Sequence, residues 1–127
     1  MPEFGFDLDL LMQDAAFVVL AFILAFPIGW ERGYGRHSNG FRTLPVVAMA
    51  ACGFSMIIDV GGVEDIDARA RILQGIMTGI GFIGGGAILK NGNNVKGLAT
   101  AASVWNAGAI GVAVGLGKPN IAVVLSL

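Results

Sequence analysis

Gly75-Ile-Met-Thr-Gly-Ile-Gly-Phe-Ile-Gly-Gly-Gly-Ala87 is the stretch around which the chain is organised. It lies inside Ile72–Leu89, a run without a single charge. At 1.5 Å per residue a helix over that run is about 27 Å long, close to the thickness of a bilayer core. Gly75, Gly79 and Gly86 fall on one helical face, and Gln74, Thr78, Gly81 and Gly85 on the next. Such a helix is poor in water, because each Gly costs roughly 1 kcal/mol relative to Ala. In lipid the same residues let backbones approach, and Gly75-x-x-x-Gly79 and Gly81-x-x-x-Gly85 are both close-packing motifs. The expectation is a central third helix, touched on two faces. A competing reading is that Gly84, Gly85 and Gly86 open the helix and offer carbonyls to an ion, as broken transporter helices do.

The composition points the same way. Of 127 residues, 55% are hydrophobic and 13% charged, against roughly 25% charged in a soluble domain. The mean hydropathy is +0.75. The net charge of −1 and the lack of a basic run give no footing to nucleic acid. The single cysteine, Cys52, excludes an intrachain disulfide and reads as a small buried apolar residue. No zinc pattern, P-loop or nucleophile elbow is present, and His37 sits in a short basic loop as a solvated residue. An enzyme is therefore not expected. The N-terminus does not read as a secretory signal, since it opens on Glu3, Asp7, Asp9 and Asp14 without a Lys or Arg.

Working outward, the first span covers roughly residues 15–30, starting as early as Leu10, with Asp7 or Asp9 as its cap and Pro27 near its end. The second runs from Phe41 to Ile58, with Pro45 in its first turn. The third opens at Asp67, and the fourth is residues 97–117. Lys118-Pro119 then breaks the chain, and Ile121–Leu127 starts a fifth segment. From Pro119 this reaches only about 13 Å, under half a bilayer. The expected fold is thus all-α: a polytopic transmembrane bundle, one domain over residues 1–127, with four complete spans and a truncated fifth. A cytoplasmic domain would follow in a longer protein.

Lys and Arg set the orientation. Arg32, Arg36, Arg42, Lys90 and Lys96 flank the loops after spans one and three, while the other side holds eight of the nine acidic residues. Loops 31–42 and 90–96 are therefore expected in the cytoplasm and the N-terminus outside. Gly40-Phe41-Arg42-Thr43 opens span two and Gly97-Leu98-Ala99-Thr100 opens span four, with Gly29 and Gly86 at equal distance before each. Two hairpins repeated in parallel would produce that pattern.

Three groups of residues are candidates for function. Glu31, beside Arg32, pairs naturally with Arg42 across the first hairpin, as a structural pin or as part of a cytoplasmic gate. Asp59, Glu64, Asp65 and Asp67 crowd the outer loop, and Mg²⁺ is the ion that one or two carboxylates with retained waters would attract. No other cofactor is expected. Inside the spans, Gln74 with Thr78, and Thr100 with Ser103, are one-turn pairs suited to interhelical bonds, and Asn106 is the remaining polar group. None is a carboxylate, which argues against a self-contained pump or channel. The expected partners are the lipid bilayer, a second copy forming a homodimer through unused glycine faces, and other membrane proteins.

Gly29-Trp-Glu31-Arg32, Gly40-Phe-Arg42-Thr43, Arg71-Ile72, Gly79-Ile-Gly-Phe-Ile-Gly-Gly-Gly-Ala-Ile88 and Val95-Lys-Gly97-Leu-Ala-Thr100-Ala-Ala102, with Trp105 and Gly111, stand in one order across residues 20–117. Together they resemble the MgtC/SapB family of bacterial inner-membrane proteins. The resemblance implies a plasma-membrane domain of about five helices, often followed by a small cytoplasmic domain. It also implies a link to magnesium limitation and, in pathogens, survival inside host cells. Two functions compete within it, magnesium transport and regulation of other membrane proteins. The chain departs from the virulence-associated members at Asn91, Ala99 and Asn106, where those carry Glu, Asn and Cys, so their specific activity does not transfer with the resemblance.

Overall fold

The computed structural model describes residues 7–33, 40–60, 66–86, 88–91 and 94–127. Five helices form a bundle: α1 (Leu8–Gly33), α2 (Gly40–Val60), α3 (Ile66–Gly86), α4 (Leu98–Gly115) and α5 (Pro119–Ser126). A two-stranded antiparallel hairpin, β1 (Leu89–Asn91) with β2 (Asn94–Lys96), joins α3 to α4. The polar segment expected as a plain loop therefore carries two short strands, with Leu89 opposite Lys96 and Asn91 opposite Asn94. Its few polar residues pair their own backbones, so the all-helical class holds for the bundle but not for this connection.

Asp7 starts α1. Its carboxylate accepts the Asp9 N–H at 2.9 Å and its carbonyl accepts the Leu11 N–H at 2.9 Å. The cap, followed by Leu8, Leu10 and Leu11, carries the helix well ahead of Ala15. The helix also continues through Pro27 to Gly33, where apolar turns on both sides tolerate one missing backbone bond. Phe22, Phe26 and Trp30, one turn apart, form an aromatic ladder with successive ring centroids 6.0 Å apart.

The centre of the bundle is α4, not the glycine-rich third helix. It packs against each of the other four helices, and α1, α2 and α4 share the core of Ala21, Ala25, Leu44, Val104 and Ile110. The reason lies in Gly111 and Gly115. A Cβ on Gly111 would collide with the Ala48 carbonyl, and one on Gly115 would lie 2.5 Å from the Cys52 carbonyl oxygen. The facing strip of α2 is Ala48, Ala51, Cys52 and Ser55, all buried and all small. Two backbones thus meet without intervening side chains, the geometry that small-xxx-small motifs permit. Helix α3 packs mainly on α4 through Gly84, whose added Cβ would sit 3.2 Å from the Ala101 oxygen, while Gly75, Gly79, Gly85 and Gly86 face open space.

These contacts fix directions. Gly111 against Ala48 and Gly115 against Cys52 make α2 and α4 parallel, as repeated hairpins would be. Gly84 against Ala101, with Ile80 filling the space beside Gly108, makes α3 and α4 antiparallel. Among the described residues two helices, over Leu8–Trp30 and Leu98–Gly115, are long and apolar enough to cross a membrane, and α2 has a shorter apolar stretch, Thr43–Ile58. Helix α3 is long enough but opens with Asp67, Arg69 and Arg71.

Candidate functional site

The topology gathers most of the sequence-predicted residues at one end of the bundle. There α1 ends, α2 begins, α3 ends and α4 begins, beside the β1–β2 hairpin. Glu31 and Arg32 lie in the last turn of α1, and Gly40, Arg42 and Thr43 in the first turn of α2. Thr43 is exposed. The side chains of Glu31, Arg32 and Arg42 are outside the described residues, and with them the expected Glu31–Arg42 pair. Gly84, Gly85 and Gly86 close α3 at this end, and Gly97 and the half-buried Thr100 open α4.

Gly84–Gly86 do not open the helix. Helix α3 stays regular to Gly86, and the Ile88 N–H then bonds the Gly85 carbonyl at 3.1 Å. Gly84 is buried because its bare Cα lets Ala101 approach, so its role here is packing. Gly97 turns the chain from β2 into α4 at φ 91°, in the left-handed region. A side chain there would be strained by roughly 1–2 kcal/mol. Gly97→Ala is therefore expected to lower the unfolding free energy by about that amount, read as a drop in thermal midpoint with the helix content unchanged.

The polar pairs within the helices behave differently from expectation. Thr78 donates to the Gln74 carbonyl at 2.8 Å and Ser103 to the Ala99 carbonyl at 2.9 Å, each within its own helix. A hydroxyl one turn on satisfies itself this way without a neighbour. Buried Ser55 does the same with the Ala51 carbonyl at 2.8 Å. Asn106 instead reaches across: its Nδ2 donates to the Leu125 carbonyl of α5 at 3.0 Å. Ser126 then donates to the Leu24 carbonyl of α1 at 2.6 Å. Neither partner could be found from spacing, because they are 19 and 102 residues apart in the chain.

Of the outer-loop acids, Asp59 and Asp67 do not join this site. Asp59 lies in the last turn of α2 and Asp67 in the first turn of α3, both at the opposite end. Asp67 is exposed; Glu64, Asp65 and the Asp59 side chain are outside the described residues. Among the described residues no three His, Cys, Asp or Glu side chains come close enough to hold a metal ion together. Cys52 is buried beside Met56, with the two sulfurs 3.7 Å apart.

Two clefts that the sequence reading missed flank α3. One, of about 410 Å³, separates it from α2 and is lined by Val47, Phe54, Ile72, Gly75, Gly79 and Ile83 among others. The other, of about 350 Å³, lies between α3, α4 and α5 and runs from Trp105 to Lys118. Both walls are overwhelmingly apolar. The glycine face Gly75–Gly79 thus borders a cleft instead of a helix, and Gly81 faces the Trp105 ring, 3.8 Å from where its Cβ would be.

Residues 18–127 match the model of the MgtC family. The chain is 38% identical over 117 residues to Protein MgtC of Brucella abortus, covering 92% of this chain and 48% of that protein. It is 39% identical over 101 residues to Protein MgtC of Salmonella typhimurium, covering 80% of this chain and 42% of that protein. An uncharacterized protein of Synechocystis is 40% identical over 110 residues, covering 87% and 46%. The chain spans about half the length of the curated relatives it matches. No solved structure matches it.

Proposed function

Because the chain belongs to the MgtC family, we propose that it is an inner-membrane protein of magnesium homeostasis that acts as a regulator of other membrane proteins and not as a conduit. Helices α1 to α4 are its complete spans. At 1.5 Å per residue the 21 residues of α2 and of α3 each reach about 31 Å, a bilayer core. Asp67, Arg69 and Arg71 sit at the very start of α3, where charged groups reach the interface. Phe82 and Ile57, 83% and 67% exposed, suit lipid and would be costly in water. Loops 31–42 and 90–96 face the cytoplasm, by their Lys and Arg.

The observation that carries the regulatory reading is the packed centre. Helices α2 and α4 meet backbone to backbone along Gly111 and Gly115, and the clefts beside them are lined by apolar side chains. A divalent cation crossing the bilayer needs oxygen ligands in place of its waters. Glu31, Arg32, Arg42, Asp59 and Asp67 instead lie in terminal turns of their helices, where partners can reach them. Transport through the acidic residues is the competing reading.

Magnesium uptake into liposomes, with the longer protein and with this chain, separates the two. The regulator predicts no uptake above empty liposomes from folded protein. It also predicts that Arg36→Ala, Lys90→Ala and Lys96→Ala lose a membrane partner in pull-downs while fluxes stay unchanged. Saturable uptake that Asp59→Asn, Glu64→Gln, Asp65→Asn or Asp67→Asn weakens would overturn it in favour of transport.

A further inference from the structure

The cleft between α3, α4 and α5 has a chemistry of its own. Leu73 and Met77 of α3, Val112 of α4, and Ile121 and Leu125 of α5 form its walls. Trp105 stands at one end and Lys118 at the other. Lys118 is exposed and, among the described residues, is the one charged side chain in the lining. It lies between α4 and α5, next to Gly117 at φ 77°, where the chain reverses. From Trp105 to Leu116 the cleft follows α4 for about 16 Å at 1.5 Å per residue. Half of a bilayer core of about 30 Å is nearly the same length. An apolar slot one leaflet deep with a cation at its mouth complements a single molecule type, an anionic amphiphile with its chain along α4 and its headgroup at the surface.

We propose that this cleft binds an anionic phospholipid from the leaflet on the Lys118 side, with the phosphate on Lys118 and an acyl chain laid between α3, α4 and α5. The inference rests on the membrane reading above and adds a ligand class to it. The open side of α3 is then covered by lipid. Among the described residues the neighbouring cleft against α2 is lined by apolar side chains and no cation, so it confers no preference for headgroup charge. One basic group near a membrane surface favours an anionic lipid by about fivefold.

The test is lipid retention. The chain is reconstituted in vesicles of equal phosphatidylglycerol and phosphatidylcholine, washed with carbonate, extracted in mild detergent and weighed intact by native mass spectrometry. Phosphatidylglycerol is expected to be retained about fivefold over phosphatidylcholine, and Lys118→Gln to bring the two close to parity. Ala109→Trp, which fills the cleft, is expected to lose the bound lipid, whereas Gly79→Leu, in the other cleft, keeps it. Equal retention by the parent chain, an unchanged preference in Lys118→Gln, or a dimer carrying no lipid would each overturn the proposal. Loss of the chain from the vesicles on carbonate washing would overturn the membrane reading as well, which separates the two failures.

Discussion

Gly111→Leu is expected to abolish the native bundle, whereas Gly79→Leu leaves it standing. The contrast follows from what each glycine faces. At Gly111 even a Cβ meets the Ala48 carbonyl and the Ala51 methyl, and a carbonyl held in a helix has no rotamer to escape into. Overpacking of a core costs roughly 1–3 kcal/mol where side chains can shift. Here α2 and α4 must separate along their length, so the loss stands at or above about 3 kcal/mol. Gly79 has nothing within 4 Å of the added Cβ and borders an open cleft. Its substitution is expected to cost nothing in packing and to gain up to about 1 kcal/mol of helix propensity. Denaturation of the two variants in detergent, followed by circular dichroism, gives the comparison. A larger loss from Gly79→Leu than from Gly111→Leu would return α3 to the centre.

The second large effect concerns α5. Only 8 residues long, it buries Ala122 and is tied to two neighbours by Asn106 on the Leu125 carbonyl and Ser126 on the Leu24 carbonyl. Interhelical bonds of this kind contribute about 0.6 kcal/mol on average and up to about 1.7 in membrane proteins. The double variant Asn106→Leu with Ser126→Ala therefore loses between about 1.2 and 3.4 kcal/mol of docking. At about 1.4 kcal/mol per factor of ten, α5 amides should exchange hydrogen roughly tenfold to a few hundredfold faster. Exchange measured by mass spectrometry should show the change in residues 119–127, with α2 and α4 protected as before. Unchanged exchange in α5 would mean that its apolar contacts alone hold it.

The hydroxyls of Thr78 and Ser103, candidates for bonds between helices, donate within their own helices for a local reason. A hydroxyl can bond the carbonyl one turn back, so helical spacing alone does not imply a bond between helices. Asn106 has a longer amide and reached α5, but that partner is a backbone carbonyl, which no residue type announces. The end of the bundle carrying Gly40, Thr43, Gly84, Gly97 and Thr100 was legible, because helix lengths and loop order place those positions together. The clefts were not, because each is formed by two or three helices that do not meet along their full length.

By itself the sequence determined the order and approximate bounds of the helices, since uncharged runs long enough for a helix are separated by Gly-, Pro- and charge-bearing breaks. It also held two kinds of Gly-x-x-x-Gly: the conspicuous ones in α3 and Gly111-x-x-x-Gly115 in α4. The tertiary structure decided between them. Helix α4 carries no charge on any face, and lipid solvates its apolar faces equally well, so hydropathy gives little inward direction. Shape gives it instead. Gly111 and Gly115 found Ala48, Ala51, Cys52 and Ser55 at matching height on a parallel helix, while Gly75 and Gly79 found no backbone opposite.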